Sequence, residues 1–250
     1  MTATDTPTGT LDQQVLEATI GALELFSIYL GTRLGLYDAL RLSRTSTPGE
    51  LAESAGIAPR YAREWLEQQA VAGILTVDDV HADAEARRYA LAEAHVGVVA
   101  DPVALDHLAP FAAMVVGIAA VLEDVVAAYR TGAGVPYARY GAQFRAVQGG
   151  INRPAFTSAL VEEWLPGLGV AAERLAGGGR LADLGCGHGW STLAVARAYP
   201  SAQVLGFDSD PASITEARAH ADEHGLRVHS WSPMRRWPPR SQRRVMSWSG

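Results

Sequence analysis

The chain has 250 residues, 48% of them hydrophobic, and a formal net charge of −6. This length accommodates one large or two modest domains with a packed core, and residues 1–226 carry 27 acids against 15 arginines, a balance that disfavours binding to a nucleic-acid backbone. The single cysteine excludes an internal disulfide, the longest apolar run is shorter than the roughly 20 residues that cross a bilayer, and the first residues lack a signal-peptide pattern. We therefore expect a cytoplasmic protein that contacts no membrane.

The first predicted element is helical. Apolar residues recur three or four positions apart from Leu11 to Leu40, which predicts one long helix followed by a short one. Such a broad apolar face packs either into the core of its own chain or against a second subunit. We expect a homodimer formed through this N-terminal part.

A helix–turn–helix with a wing follows. Thr47 precedes a proline and, three positions later, Glu50, a capping pattern that starts a helix. A second helix covers Arg60–Val71. Two short strands, Gly73–Val77 and Arg88–Leu91, flank a polar loop. This order of elements predicts a winged helix.

The charges of the winged helix do not favour DNA. A DNA-reading helix presents basic and amide side chains on its outer face. Here Glu64 and Glu67 offset Arg60 and Arg63, and four acids lie in the wing loop. A structural or dimerisation role is therefore favoured. A DNA-binding regulator with a ligand-sensing second domain stays open as the alternative.

The middle of the chain is predicted to be helical and to cover a cleft in the last domain. One long helix is expected over Ala100–Tyr129, and others over Asn152–Trp164 and Val170–Leu175. Between them, Tyr137 and Tyr140 follow a glycine-rich loop. Aromatic residues at such a place pack in the core or line a ligand pocket.

The stretch Arg180–Asp210 has the pattern of a strand, a glycine turn, a helix and a second strand. Leu181–Leu184 is an apolar run, the next five residues include three glycines, and Ala202–Phe207 gives another strand that Asp208 closes. A unit of this kind is half of a doubly wound nucleotide-binding sheet. We therefore expect an α/β domain here.

The residue types in this strand–turn–helix–strand segment indicate which nucleotide cofactor it suits. Gly185, Gly187 and Gly189 alternate, which differs from the G-x-G-x-x-G spacing of dinucleotide enzymes and disfavours hydride transfer. Asp208 follows at the end of the second strand, where a carboxylate accepts hydrogen bonds from both ribose hydroxyls. Asp183 is placed to meet a cationic amine. An amine, a ribose and no required pyrophosphate describe S-adenosylmethionine.

The segments LADLGCGHG and VLGFDSDPASITEAR resemble the first two motifs of class I S-adenosylmethionine-dependent methyltransferases. Upstream, LGTRLGLYDAL, TPGELAESAGIAPRYAREWLEQQAVAGIL and GVPYARYGAQF are similar to bacterial members with an N-terminal winged helix. The resemblance covers residues 15–228 and implies a Rossmann-like fold, this cofactor and a small-molecule methyl acceptor. The cofactor-binding residues that it implies are Asp183, Gly185, Cys186, Gly187, Gly189, Asp208 and Ser209, with Tyr137 and Tyr140 as candidates for the pocket.

The sequence assigns no catalytic base. His107, near the start of the predicted long helix, is the only candidate, and a histidine there is more often a helix-surface residue. His188, inside the glycine turn, is more often a variable turn residue than a base. Cys186 has no cysteine or matched histidine pair nearby, so neither a metal site nor a nucleophile is expected.

The last 22 residues differ abruptly in composition from the rest of the chain. They contain three of the six tryptophans, five arginines and three prolines, and no alanine, leucine or acid. We expect a disordered basic tail, or a segment translated out of frame, because a one-base shift can spell the Val-Val-Ala-Asp of the family's third strand. With two or at most three strands, we expect poor stability in the C-terminal third and weak or no catalysis.

The expected fold class is thus α/β, with an N-terminal winged-helix and helical domain before a partial Rossmann-like methyltransferase domain. The predicted limits are 1–99 for the dimerisation-type domain, 100–177 for a helical lid, 178–228 for the methyltransferase part and 229–250 for the tail.

Overall fold

The computed structural model describes residues 9–233. The chain divides into two compact units, with the division between Gly132 and Ala133. Each unit has its own secondary structure and its own core, and each is described separately. The domain limits expected at residues 99, 177 and 228 stay predictions.

The first unit consists of helices and one small sheet. Its helices are α1 (Leu11–Arg33), α2 (Leu36–Ser43), α3 (Pro48–Ala55), α4 (Pro59–Val71), α5 (Glu93–Ala100), α6 (Ala109–Ala119) and α7 (Leu122–Thr131). The strands β1 (Leu75–Val77) and β2 (Tyr89–Leu91) pair antiparallel. The succession of α3, α4, β1 and β2 is the helix–turn–helix and wing that the sequence predicts.

Helix α3 begins at a capping box, and its apolar face packs in the core of the first unit. Thr47 Oγ1 accepts a hydrogen bond from Glu50 N at 3.3 Å, and the Glu50 carboxylate accepts one from Thr47 N at 2.9 Å, so the predicted capping box is confirmed. Leu40, Leu51 and Leu66 are fully buried together in the core of the unit.

Helix α1 is mostly exposed. Its apolar residues Leu16, Ile20 and Leu23 lie at the surface, whereas Gly31 packs against the rings of Tyr37 and Trp65. By length and composition α1 is apolar enough to cross a membrane, and the bent pair of α6 and α7 passes the same test as one broken span. This finding corrects the expectation that no segment is apolar enough. One or two such helices are weak evidence of a membrane, because a core helix of a soluble protein and an N-terminal signal sequence pass the same test.

The prediction of one helix over Ala100–Tyr129 is wrong. Residues 101–108 form turns, and α6 and α7 are separate helices bent by 58°. Pro110 explains where α6 begins, because a proline in the first turn of a helix sacrifices no intrahelical hydrogen bond. The side chain of Val121 is buried at the break between the two helices.

The second unit holds a parallel sheet surrounded by helices. Its elements are α8 (Gly141–Thr157), α9 (Val170–Ala176), β3 (Arg180–Leu184), α10 (Trp190–Ala198), β4 (Gln203–Asp208), α11 (Pro211–Glu223) and β5 (Ser230–Pro233), with short helical turns at Tyr137–Tyr140, Leu160–Trp164 and Pro166–Leu168. The strand order is β3–β4–β5. The predicted strand–turn–helix–strand unit is therefore confirmed as β3, α10 and β4.

Strand β5 corrects the expectation of a disordered tail from residue 229. The Trp231 ring covers the backbone of two glycines: a Cβ built on Gly206 would lie 2.5 Å from this ring, and one built on Gly189 would lie 2.6 Å from it. Backbone pairing with β4 and the packing of this ring on the two glycines outweigh the unusual composition. The rest of the expected tail, residues 234–250, lies outside the described residues, and the out-of-frame hypothesis stays a prediction.

Candidate functional site

A cavity of about 810 Å³ lies in the second unit at the carboxyl ends of β3 and β4. Open α/β sheets bind ligands at this end of their strands, and the volume suits a small-molecule site. The residues predicted from the sequence that line the cavity are Asp183, Gly185, Cys186, Gly187, Asp208, Ser209 and Tyr137. Gly189 and Tyr140 are not part of the lining.

The glycine turn adopts a backbone shape that requires its glycines. Gly185, Gly187 and Gly189 have φ angles of 80°, 52° and 83°, all in the left-handed region. The carbonyl oxygen of Phe207 accepts hydrogen bonds from the N–H groups of Gly185 at 2.7 Å and Cys186 at 3.0 Å. A Cβ on Gly185 or Gly187 would meet no atom within 4 Å, so a ligand has access to this backbone.

Asp208 is fixed at the end of β4 by two backbone groups. Its Oδ2 accepts a hydrogen bond from Gly187 N at 2.8 Å, and its Oδ1 accepts one from Asp210 N at 2.8 Å. A carboxylate oxygen accepts more than one hydrogen bond, so both oxygens retain capacity for the hydroxyls of a ligand. The orientation of the Asp208 carboxylate at the cavity wall is therefore fixed before any ligand binds.

Asp183 is oriented by hydroxyls that the sequence analysis missed. Its Oδ2 accepts hydrogen bonds from Ser191 Oγ and Thr192 Oγ1, each at 2.6 Å. Both hydroxyls come from the first turn of α10. The bonds hold the half-buried carboxylate against the start of that helix, beside the glycine turn.

Cys186 is a buried residue of the turn. The Cβ position of Gly206 lies 3.2 Å from its Sγ, and the thiol is 7% exposed. Burial, with the nearby charges of Asp183 and Asp208, raises the pKa of the Cys186 thiol to about 12. The thiol is therefore protonated and unreactive at neutral pH, which agrees with the expectation that it is not a nucleophile.

Only one of the two tyrosines considered as pocket residues reaches the cavity. Tyr137 lines it and donates a hydrogen bond from its hydroxyl to Gln148 Oε1 at 2.7 Å. Burial, followed by the charges of Asp210 and Asp208, raises the pKa of Tyr137. Tyr140 instead packs against Phe144, with ring centroids 4.7 Å apart.

One face of α8 lines the cavity and was missed by the sequence analysis. Arg145, Gln148, Asn152 and Phe156 recur at helical spacing along it. Arg145 is largely buried and its Nε lies 3.4 Å from Asp210 Oδ2. The spacing of these residues in the sequence fits a helix face that lines a pocket, but it fits the polar face of a solvent-exposed helix equally well.

The histidines differ in their relation to the cavity. His107 belongs to the first unit, where its Nδ1 lies 3.2 Å from the Gly97 carbonyl oxygen, and it does not line the cavity. His188 lines the cavity and is 7% exposed. His220 Nδ1 lies 3.0 Å from the carbonyl oxygen of His188, a geometry in which the imidazole N–H donates, and the His220 ring stacks on Trp190 at 4.3 Å.

Two family models match parts of the chain. Residues 21–100 match the Rv2258c-like winged HTH domain, and residues 181–242 match a methyltransferase domain. The chain thus carries a winged helix-turn-helix domain followed by a methyltransferase domain of the Rossmann-like type, as the resemblance implies. The second match includes all of β5.

Curated relatives match a short part of the chain. A release factor glutamine methyltransferase of Xylella fastidiosa (strain Temecula1) is 44% identical over 72 residues, which are 29% of this chain and 24% of that protein. A trans-aconitate 2-methyltransferase of Escherichia coli O1:K1 / APEC is 42% identical over 56 residues, which are 21% of this chain and 22% of that protein. The match therefore spans about a quarter of each relative's own length.

Solved structures match over most of the chain and show its fold. The mitomycin 7-O-methyltransferase MmcR has a TM-score of 0.55 at 20% identity, over 90% of this chain and 66% of that one. PigF, solved with SAH, has a TM-score of 0.62 at 16% identity, over 86% of this chain and 64% of that one. Human N-acetylserotonin methyltransferase, solved with SAM, has a TM-score of 0.54 at 16% identity, over 86% and 64%.

Proposed function

We propose that the protein is an S-adenosylmethionine-dependent methyltransferase that acts on a small molecule. The observation that carries the proposal is the placement of Asp183, the glycine turn and Asp208 around one cavity. We expect the chain to bind the cofactor through these groups. The expectation of weak or no catalysis stays a prediction, because the described part of the sheet has the three strands β3, β4 and β5.

The described residues fit this cofactor in charge and in shape. The Asp208 carboxylate is suited to the ribose hydroxyls, and the Asp183 carboxylate to the amino group of the methionine end. The open space beside Gly185 and Gly187 leaves room for the chain of the ligand. When bound, the cofactor supplies an electrophilic methyl group on a sulfonium sulfur.

The protein's own contribution to the reaction is mainly positioning. Holding the two reactants in line supplies a large part of the rate in such a transfer. The hydroxyls of Ser191 and Thr192 fix Asp183, and two backbone N–H groups fix Asp208, so the charges around the cofactor are set before binding. We assign no residue as a general base.

A small, partly polar acceptor is supported by the walls of the cavity. Tyr137, Phe156 and Leu160 offer apolar surface, and Gln148 and Asn152 offer amide groups. Pockets of this composition bury the body of a small molecule and orient it with a few hydrogen bonds.

The winged helix of the first unit does not favour nucleic acid as a partner. The Arg63 guanidinium of α4 lies 2.8 Å from the Glu85 carboxylate, so its charge is offset within the chain.

The proposed cofactor is tested by photo-cross-linking of methyl-tritiated S-adenosylmethionine to the full chain. We expect labelling that S-adenosylhomocysteine suppresses and NAD does not, because the turn lacks the dinucleotide spacing. Labelling that NAD suppresses equally well, or no labelling above that of heat-denatured chain, would contradict the proposal.

The homodimer is proposed on the exposed apolar face of α1. Leu16, Ile20 and Leu23 are between 48% and 61% exposed, and a helix of this kind is stabilised by a cover. We expect light scattering after size exclusion to give twice the 26.6 kDa of the chain, and Leu16→Glu with Leu23→Glu to give a monomer. Leu42→Glu, at an 81% exposed site on α2, is the control and should stay dimeric. A monomeric wild type would contradict the proposal.

The reducing cytoplasm is proposed as the location of the protein, because Cys186 is its only cysteine.

A further inference from the structure

One ion pair joins helix α8 to the loop that follows β4. Arg145 Nε lies 3.4 Å from Asp210 Oδ2, and the two side chains are only 14% and 15% exposed. Water screens such a pair only in part, so the attraction is stronger than between exposed side chains. Removing one partner leaves the other charge poorly solvated and unpaired, which is strongly unfavourable. The position of the Asp210 carboxylate is therefore sensitive to Arg145.

The Asp210 carboxylate also caps helix α11. Its Oδ2 accepts hydrogen bonds from Ser213 N at 3.1 Å and from Ser213 Oγ at 2.8 Å, and Asp210 is the N-cap residue of the helix. The same oxygen thus meets Arg145 of α8 and the first turn of α11. Contacts with two helices fix the orientation of Asp210 as a whole, including its backbone.

The backbone of Asp210 in turn holds Asp208. The N–H of Asp210 donates a hydrogen bond to Asp208 Oδ1 at 2.8 Å, and Gly187 N donates one to Asp208 Oδ2 at 2.8 Å. Hydrogen bonds from a supporting residue keep a binding side chain in its productive orientation. If Asp210 moves, the Asp208 carboxylate loses one of the two donors that fix its plane.

The role of Arg145 in this chain of contacts is indirect. Arg145 lines the cavity, so a direct contact with a ligand is the alternative. Its ion pair, however, is with Asp210, and Asp210 supplies one of the two backbone donors to Asp208. The contacts therefore run from α8 through Asp210 to the carboxylate at the end of β4.

We propose that Arg145 is a positioning residue for the cofactor: it holds Asp210, whose backbone N–H keeps the Asp208 carboxylate oriented toward the ribose hydroxyls. This inference rests on the proposed function. It adds to cofactor binding a residue of α8, which lies outside the segment from β3 to β4. Because α8 also supplies Gln148 and Asn152 to the cavity, the ion pair fixes that wall relative to the end of β4.

A ligand without ribose hydroxyls tests the inference. Isothermal titration measures S-adenosylhomocysteine, and its analogue that lacks both ribose hydroxyls, against the full chain, Arg145→Met and Arg145→Lys. We expect Arg145→Met to weaken binding of S-adenosylhomocysteine by about tenfold and binding of the analogue by less than about twofold, because only the first ligand uses Asp208. Arg145→Lys keeps the charge and should lose less than about threefold.

A second background separates the indirect role from a direct contact between Arg145 and the ligand. In Asp210→Asn, the new side chain can still cap α11 and the backbone N–H remains, but Arg145 loses its charged partner. Adding Arg145→Met to this variant should weaken binding of S-adenosylhomocysteine by less than about twofold. Arg197→Met replaces an exposed arginine of α10 and is the control, which should leave both affinities unchanged.

The outcomes separate this inference from the proposed function. Equal weakening of both ligands by Arg145→Met would make the residue purely structural and overturn the inference. An unchanged affinity for S-adenosylhomocysteine, or the same loss with and without Asp210→Asn, would overturn it as well. If circular dichroism shows that Arg145→Met does not fold, Arg145→Gln takes its place with the same expected results. A wild-type chain that binds neither ligand would refute the proposed function itself, and the inference with it.

Discussion

Replacing Gly189 by alanine is expected to destabilise the second unit by about 2–5 kcal/mol. The left-handed φ of 83° contributes about 1–2 kcal/mol of strain in any residue with a Cβ. The new methyl group would also lie 2.6 Å from Trp231 Cη2 and 2.9 Å from Ala217 Cβ, and overpacking of this kind costs about 1–3 kcal/mol. Hydrogen exchange of peptides from β3, β4 and β5 in a urea series measures the loss.

Gly187→Ala is the matched control for this prediction. Gly187 has a left-handed φ of 52° but no atom within 4 Å of a built Cβ, so only the strain of about 1–2 kcal/mol should appear. In a Trp231→Leu background, the loss caused by Gly189→Ala should shrink by about 1 kcal/mol or more, because the two sites are in contact. Equal losses for Gly187→Ala and Gly189→Ala, unchanged by Trp231→Leu, would show that Trp231 does not pack on the turn.

Asp208→Asn is expected to weaken binding of S-adenosylmethionine by at least about a hundredfold. Hydrogen bonds to a charged group contribute about 1.5–3 kcal/mol each, and two ribose hydroxyls depend on this carboxylate. Both of its oxygens also accept from backbone N–H groups, at Gly187 and at Asp210. An asparagine brings its NH₂ group against one of those donors, so the turn loses its anchor as well. Isothermal titration measures the affinity.

Asp222→Asn is the matched control, since Asp222 is an exposed acid on α11. It should leave the affinity unchanged. A loss of less than about threefold in Asp208→Asn, with the fold intact by circular dichroism, would remove Asp208 from the cofactor site.

Short-range patterns in the sequence predict much of the fold. The Thr47 and Glu50 capping box, the wing strands and the strand–turn–helix–strand unit depend on residues close together in the chain, and the structure has them. The break between α6 and α7 was missed, because a helical pattern does not show which side chains a neighbouring helix will accept. Strand β5 was missed because its stability comes from the fit of Trp231 over Gly206, a contact between distant residues.

The sequence predicts only part of the candidate site, again because it shows short-range patterns and does not show contacts between distant residues. Asp183, Asp208 and the turn belong to one contiguous motif, which could be read directly. The hydroxyls of Ser191 and Thr192 and the polar face of α8 were not singled out, because serine, threonine, glutamine and asparagine are common on exposed helices. Their role depends on which face of the helix the tertiary fold turns toward the cavity.

The central claim is that the turn between β3 and α10 and the end of β4 form a binding site for S-adenosylmethionine. Isothermal titration of the full chain with S-adenosylmethionine tests it most directly. We predict one site per chain with a dissociation constant below about 1 mM, the upper end of the usual range for enzyme substrates, and loss of that binding in Asp208→Asn. No heat of binding to a folded wild-type chain, or equal binding by Asp208→Asn, would contradict the claim.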